Sequence, residues 1–247
     1  MQIAKYNASG NDFVIFHTFN NEPRNELAKR LCHRQKGIGA DGLIVILPHD
    51  AYDFEWQFYN NDGSDAEMCG NGSRAAAHYA YTNGLADKEM KFLTLAGVIE
   101  ASVEGDEAEV KLTEPKVLDK LIVAEGLKWA LYDTGVPHLV TFVDDLDIYD
   151  KEMARSMRNA YNANVNFARI DPESKEMYVR TYERGVEDET LACGTGMAAC
   201  FFAANQNGDV PDSTKVYPTS KEELTLSIVD GVILFKGGVD KVFEASI

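Results

Sequence analysis

Two stretches of the chain carry one pattern twice. EMCGNGSRAAAHYAYTNGL at 67–85 and LACGTGMAACFFAANQNGD at 191–209 each set a cysteine before Gly-x-Gly, then an apolar run of helical length ending in Asn-Gly. The offset from Cys69 to Cys193, 124 residues, is also that from Gly84 to Gly208. An internal repeat on this scale constrains the fold strongly, because each half is then one unit with its own apolar face to bury. The strand leading into each helix repeats too: at the same offset Phe54, Trp56 and Phe58 fall on Tyr178, Arg180 and Tyr182. Upstream, SGNDFVIF at 9–16 is echoed by TGVPHLVTF at 134–142.

Alternating apolar residues in DFEWQFYN (53–60) and EMYVRTYE (176–183) predict strands, as do EMKFLTLAGVIEASV (89–103), EAEVKLTEP (107–115) and ELTLSIVDGVILFKGG (223–238). NELAKRLCHRQ (25–35) predicts a helix in the first half, with DKEMARSMRNAY (150–161) as its counterpart. The expectation is an α+β fold of two pseudo-symmetric domains. Each is a mostly antiparallel β-sheet or barrel around a central α-helix, with the active site in the cleft between them. Pro115 and its charged neighbours place the join, giving an N-terminal repeat over 1–116 that carries Cys69 and a C-terminal repeat over 117–236 that carries Cys193. Residues 237–247 are expected to return to the first domain.

Composition narrows the function by exclusion. With 40 acidic against 24 basic residues the formal net charge is -16, and no basic stripe is present, so a nucleic-acid partner is not expected. The cluster from Lys29 to Lys36 reads as a solvated helix face. No apolar run is long enough to cross a bilayer, and the N-terminus lacks a secretory pattern, so the expected setting is cytoplasmic, away from membranes. The four cysteines show no C-x-x-C or C-x-x-H pairing, which argues against a disulfide framework and against a metal site. Cys32 and Cys200 fall inside apolar helical stripes and read as inert packing. Cys69 and Cys193 differ, because each opens a helix.

The thiolate is the reactive form of cysteine, and a helix N-terminus favours it through unpaired N–H groups and the positive end of the dipole. Those N–H groups also form an anion site, and flanking glycines let the backbone approach a ligand closely. A carboxylate held by two such helix starts would have a sulfur on each side of its α-carbon. One thiolate can then remove the α-proton while the opposite thiol delivers a proton to the other face. The stereocentre inverts with no cofactor, and fixed N–H donors meet the charge that develops toward the carboxylate.

GNDFV, GIGADGL, YNNDGSDAEMCGNG, PH, YERG and ACGTG occur in this order along the chain. In this the sequence resembles the diaminopimelate epimerase family, within the cofactor-independent two-thiol racemases, over essentially its whole length. The resemblance implies an epimerase that interconverts LL- and meso-diaminopimelate in lysine and peptidoglycan precursor synthesis, with no cofactor and no metal. It makes Cys69 and Cys193 the acid and base, assisted by His138 near the first and Glu183 near the second. It assigns the α-carboxylate to the backbone amides of Gly70, Asn71, Gly194 and Thr195. Asn11, Asn60, Asn164 and Arg184, with Glu183, match residues that bind the substrate, the first four holding its distal ammonium and carboxylate. The partner implied is a small-molecule amino acid, and family members are often homodimers.

The residues agree with that substrate. A molecule with an amino-acid group at each end needs donors and acceptors far from the reacting carbon, which asparagine and a two-pronged arginine supply. The chain departs from the family at Val136, where Gly-Val-Pro-His replaces the common Gly-Asn-Pro-His. Asn166 stands where many members have glycine and offers a replacement for the missing amide. A racemase of another amino acid is the alternative that Val136 leaves open. A thiol redox protein is a second alternative, but it leaves the anion-binding helix starts unused. A double-bond isomerase of the same superfamily need not keep both cysteines, and a binding module would bind without proton exchange. His17, His33, His49 and His78 have no comparable surroundings and read as surface or packing residues.

Overall fold

A computed structural model describes residues 1–247, which divide into two compact units. One comprises Met1–Val110 with Lys236–Ile247, and the other Lys111–Phe235.

The first unit opens with the antiparallel pair β1 (Gln2–Ala8) and β2 (Asn11–His17). Its turn is formed by Ser9 and Gly10, both at positive φ. Helix α1 (Asn25–Cys32) leads to β3 (Gly42–Leu47), which is parallel to β2 and antiparallel to β4 (Phe54–Asn60). Helix α2 (Gly70–Thr82) then leads to β5 (Glu89–Thr94), parallel to β4, and β6 (Gly97–Glu104) and β7 (Glu107–Lys111) follow as antiparallel neighbours. The C-terminal strand Asp240–Ser246 returns to pair antiparallel with β1. The two parallel pairings in this unit are the ones joined through a helix, since parallel strands require a long crossover.

The second unit begins with the hairpin β8 (Lys116–Ala124) and β9 (Leu127–Asp133), and β9 pairs antiparallel with β10 (Pro137–Phe142). Helix α2's counterpart comes later, preceded by α3 (Lys151–Tyr161), whose start is capped by Asp150 accepting from the Met153 amide at 2.7 Å. Strand β11 (Asn164–Ile170) is parallel to β10 and antiparallel to β12 (Met177–Glu183), and the short β13 (Asp188–Thr190) pairs with β12. Helix α4 (Gly194–Asn207) leads to β14 (Ser213–Tyr217), parallel to β12, followed by β15 (Leu224–Val229) and β16 (Val232–Gly238). The run β10, α3, β11, β12, α4, β14 repeats the run β2, α1, β3, β4, α2, β5, with parallel and antiparallel pairings in the same places. The α+β, two-unit pseudo-symmetric architecture read from the repeat is the observed one.

Both long helices are buried along most of their length. In α2 every residue from Gly70 to Ala80 is buried, and α4 is buried from Gly196 to Ala204. Small residues allow this: Ala75, Ala76 and Ala77 let α2 lie against β1, β2, β3 and β6, and alanines do the same for α4 on β10, β11 and β12. The Asn-Gly endings close the helices: the Asn83 amide bonds the Tyr79 carbonyl, and Gly208 adopts the left-handed conformation that glycine takes most easily.

The strand before each long helix repeats, with a slip of one residue. A constant offset aligns Tyr178, Arg180 and Tyr182 with Phe54, Trp56 and Phe58, but Met177, Val179 and Thr181 take their buried places, and Tyr182 is buried as Tyr59 is. Side chains alternate with period two, so a slip of one residue exchanges the faces of a strand. Arg180 instead stacks over Tyr149 at 4.0 Å and grips Glu189 with two hydrogen bonds of 2.8 and 2.7 Å. The extra residue is taken up in the connection between β12 and α4.

No helix is long and apolar enough to cross a membrane. No group of three or more His, Cys, Asp or Glu side chains is placed to hold a metal ion.

Candidate active site

In the first unit Cys69 is the N-cap of α2, with extended backbone, and its Sγ accepts the Gly72 amide at 3.4 Å. A sulfur so placed receives a first-turn N–H directly, the arrangement that favours a thiolate at a helix start. The next residues, Gly70 and Asn71, contribute N–H groups of the same turn, which intrahelical bonding leaves available.

Asn71 is buried, and its side chain bonds at both ends. Its Nδ2 donates to Asn11 Oδ1 at 2.7 Å, and its Oδ1 accepts from Arg74 Nη2 at 2.9 Å. Arg74, fully buried, also donates to Ser9 Oγ at 2.6 Å and to the Gly238 carbonyl at 2.9 Å. Asn11 in turn donates to Asp41 Oδ2 at 3.1 Å. The structure thus joins Asn11 and Asn71, both singled out from sequence. Asn60 is not part of that group: it is exposed, and its Nδ2 donates to Ser64 Oγ at 2.9 Å within the turn that follows β4.

Arg74 and Asp41, which hold Asn71 and Asn11, are not apparent as supports from the sequence. The signal for Arg74 was present, a lone cation in the apolar run GNGSRAAA, since a buried guanidinium must find acceptors. Asp41 lay inside the quoted GIGADGL, but its partner Asn11 is distant in sequence.

In the second unit Cys193 is the N-cap of α4, again with extended backbone, and its Sγ lies 3.7 Å from Thr195 Oγ1. Thr134 Oγ1 donates to the Thr195 carbonyl at 2.8 Å, tying the turn before β10 to the helix start. Gly194 has little space for a side chain, since a Cβ there would meet Phe235 at 3.0 Å.

His138 is fully buried on β10, beside its parallel register partner Asn164 on β11. Its Nε2 lies 3.0 Å from Thr195 Oγ1 and 3.4 Å from Asn164 Nδ2. Burial, reinforced by the positive charge of Arg184, holds its pKa down to about 3, so the ring is neutral at physiological pH. Asn164 Oδ1 accepts the Arg184 backbone amide at 2.7 Å, and Arg184 Nη1 donates to the Asn162 carbonyl at 3.0 Å. Asn162 ends α3 in the left-handed conformation, so Arg184 satisfies a carbonyl at a helix C-terminus. Glu183 closes β12, half-buried, immediately before Arg184. His138, Asn164, Arg184, Thr195 and Cys193 therefore form one connected group. The group links His138 through Thr195 to the second thiol, Cys193, whereas the resemblance sets His138 near the first, Cys69.

Val136 is half-buried and holds the turn before β10 through its carbonyl, which accepts the Thr134 amide at 3.3 Å. Asn166 does not replace the missing side-chain amide. It is fully buried, donating to the Leu139 carbonyl at 2.8 Å and lying 3.1 Å from His138 Nδ1, while its Oδ1 accepts from Thr181 Oγ1 at 2.9 Å.

Comparison with known proteins shows the family. The family model described as diaminopimelate epimerase matches residues 3–118 and 130–240. The chain is 65% identical to the diaminopimelate epimerase of a Nitratiruptor species, over 99% of this chain and 97% of that protein. It is 54% identical to the diaminopimelate epimerase of Campylobacter jejuni subsp. doylei, over 100% and 98%. Among solved structures, a PhzF-family phenazine biosynthesis protein of Bacillus anthracis shares the fold with a TM-score of 0.75 at 15% identity, covering 100% of this chain and 98% of that one. With 65% identity to a named relative over nearly its full length, and the family model matched across both units, the chain belongs to the diaminopimelate epimerase family.

Proposed function

We propose that this protein interconverts LL- and meso-diaminopimelate by two-base proton transfer at the α-carbon, without a cofactor, as a step in lysine and peptidoglycan precursor synthesis. The observation that carries the reading is that Cys69 and Cys193 are each the N-cap of a buried helix at equivalent points of a repeated topology. Each sulfur thus sits beside first-turn N–H groups suited to a carboxylate. In one direction a thiolate takes the α-proton and the other thiol returns a proton to the opposite face. In the reverse direction the roles exchange. The amides of Gly70, Asn71, Gly194 and Thr195 hold the α-carboxylate and stabilise the charge that moves onto it.

His138 and Glu183 assist proton movement to and from the sulfurs. Asn11, Asn60, Asn164 and Arg184 recognise the distal ammonium and carboxylate. Arg184 is anchored by its main-chain bond to Asn164, which favours a guanidinium held ready for a carboxylate. The two repeats, read as domains over 1–116 with 237–247 and over 117–236, each supply one acid/base cysteine. We assign the enzyme to the cytoplasm; the homodimer common in the family is what the resemblance offers for its assembly.

The test is α-proton exchange in deuterated water, followed by NMR under reducing conditions, with LL-diaminopimelate beside a panel of other amino acids. Exchange and inversion of diaminopimelate alone is the expected result. Exchange of a different amino acid would retain the two-thiol chemistry and overturn the substrate, with Val136 as the place to look for the cause. Absence of exchange from all of them would overturn the epimerase reading.

A further inference from the structure

Asn166 has an orientation that its surroundings leave no freedom to reverse. The Leu139 carbonyl, an acceptor only, lies 2.8 Å from one end of its amide, so that end is Nδ2, and the Thr181 hydroxyl donates to Oδ1 at the other end. The β-sheet register fixes this pair, since Asn166 and Thr181 are direct antiparallel partners on β11 and β12. Space for Oδ1 depends on Gly196 in the first turn of α4, where any Cβ would overlap that oxygen.

Nδ2 has a second hydrogen, and His138 Nδ1 stands 3.1 Å away. A proton on Nδ1 would face a donor inside a fully buried site, with nothing there to accept it. A bare Nδ1 accepts the amide N–H. The one hydrogen of the neutral ring then belongs on Nε2, where the Thr195 hydroxyl oxygen can accept it at 3.0 Å. The Asn164 amide nitrogen, at 3.4 Å from the same atom, cannot accept, because its own Oδ1 is committed to the Arg184 amide. With its oxygen receiving from His138, the Thr195 hydroxyl directs its hydrogen to the Cys193 sulfur, 3.7 Å away.

We infer that Asn166 is a positioning residue of the reaction: it holds His138 in the Nε2–H tautomer, so that hydrogens run from His138 to Thr195 and from Thr195 to the Cys193 sulfur. A hydroxyl donated to sulfur favours the thiolate, so the arrangement readies Cys193 to take a proton. When Cys193 becomes a thiol, the Thr195 hydroxyl can turn away without any change at Asn166. The inference rests on the proposed epimerase reading for its consequence in turnover, but not for the tautomer itself.

The experiment is long-range ¹⁵N–¹H NMR of the intact protein carrying ¹⁵N-labelled histidine, with the His138 signals identified by their loss in His138→Gln. The expected spectrum shows His138 protonated on Nε2 alone at neutral pH. In Asn166→Ala the ring should show both tautomers, and kcat should fall about tenfold while KM changes by less than about twofold, since the loss is of orientation and not of a substrate contact. A wild-type His138 protonated on Nδ1, or on both nitrogens, overturns the proposal. So does a folded Asn166→Ala protein that keeps the single Nε2–H tautomer, whatever its turnover. If Asn166→Ala does not fold, the wild-type spectrum decides alone. Failure of the epimerase reading would show separately, as wild-type protein with the Nε2–H tautomer and no α-proton exchange.

Discussion

Asn71 donates its side-chain amide to Asn11 at 2.7 Å, tying the first turn of α2 to the start of β2 across 60 residues of chain. The bond places the residue after Gly70 so that its side chain is held within the unit while its backbone N–H belongs to the helix start. Arg74 completes the tie by holding Asn71, Ser9 and the Gly238 carbonyl with one guanidinium. Replacing it with an apolar residue leaves several buried acceptors without their donor, each costing about 1–3 kcal/mol. Arg74→Met should therefore destabilise the protein by about 3–5 kcal/mol, read from urea unfolding.

The two cysteines cap equivalent helices, and in the proposed reaction they act on opposite faces of one carbon, so neither should substitute for the other. Cys69→Ala and Cys193→Ala should each lower epimerisation by at least about a hundredfold, the usual loss on removing a proton-transfer group. Circular dichroism should remain native, because an alanine fits where a small thiol sat. Near-full turnover in either variant would exclude the two-base scheme.

Arg184 is bonded through its main chain to Asn164, a neighbour of His138, and on the proposed reading its guanidinium holds the distal carboxylate. Truncation to alanine removes a charged grip worth about 1.5–3 kcal/mol, which corresponds to a rise in KM for diaminopimelate of roughly 10- to 100-fold. Unchanged affinity, measured by competition with an unreactive substrate analogue, would remove Arg184 from the substrate site.

The buried His138 makes stability depend on pH. Its pKa falls from an ordinary 6.5 to about 3 in the folded protein, chiefly through burial. Between these values the unfolded chain binds a proton that the native state refuses, so acidification favours unfolding. The contribution is lost progressively as pH falls below 6.5 toward 3 and is unchanged above 6.5. His138→Gln should flatten that dependence: its stability relative to wild type should improve on moving from about pH 7 to about pH 4.5, on the order of a few kcal/mol. Urea midpoints for both proteins at the two pH values test it.

The order of amino acids is enough to show the repeat, the two helices opened by cysteine, and the strands before and after them. It did so because these features are local: hydrophobic period, glycine placement and Asn-Gly endings all act within one element. It also picked out Asn11 with Asn71, and His138 with Asn164 and Arg184, through motif order. Sequence alone did not show that these residues hold one another. Only the folded chain shows that Met177, Val179 and Thr181 take the places of Phe54, Trp56 and Phe58, with Tyr182 buried as Tyr59 is, because register belongs to the strand pairing and not to the strand. It likewise decided the fate of Asn166. From sequence Asn166 stands where many relatives have glycine and suggests a substrate contact, but parallel pairing with β10 and antiparallel pairing with β12 enclose it among Leu139, His138 and Thr181. A buried amide takes its meaning from the donors and acceptors around it, and those come from three strands that only the folded chain brings together.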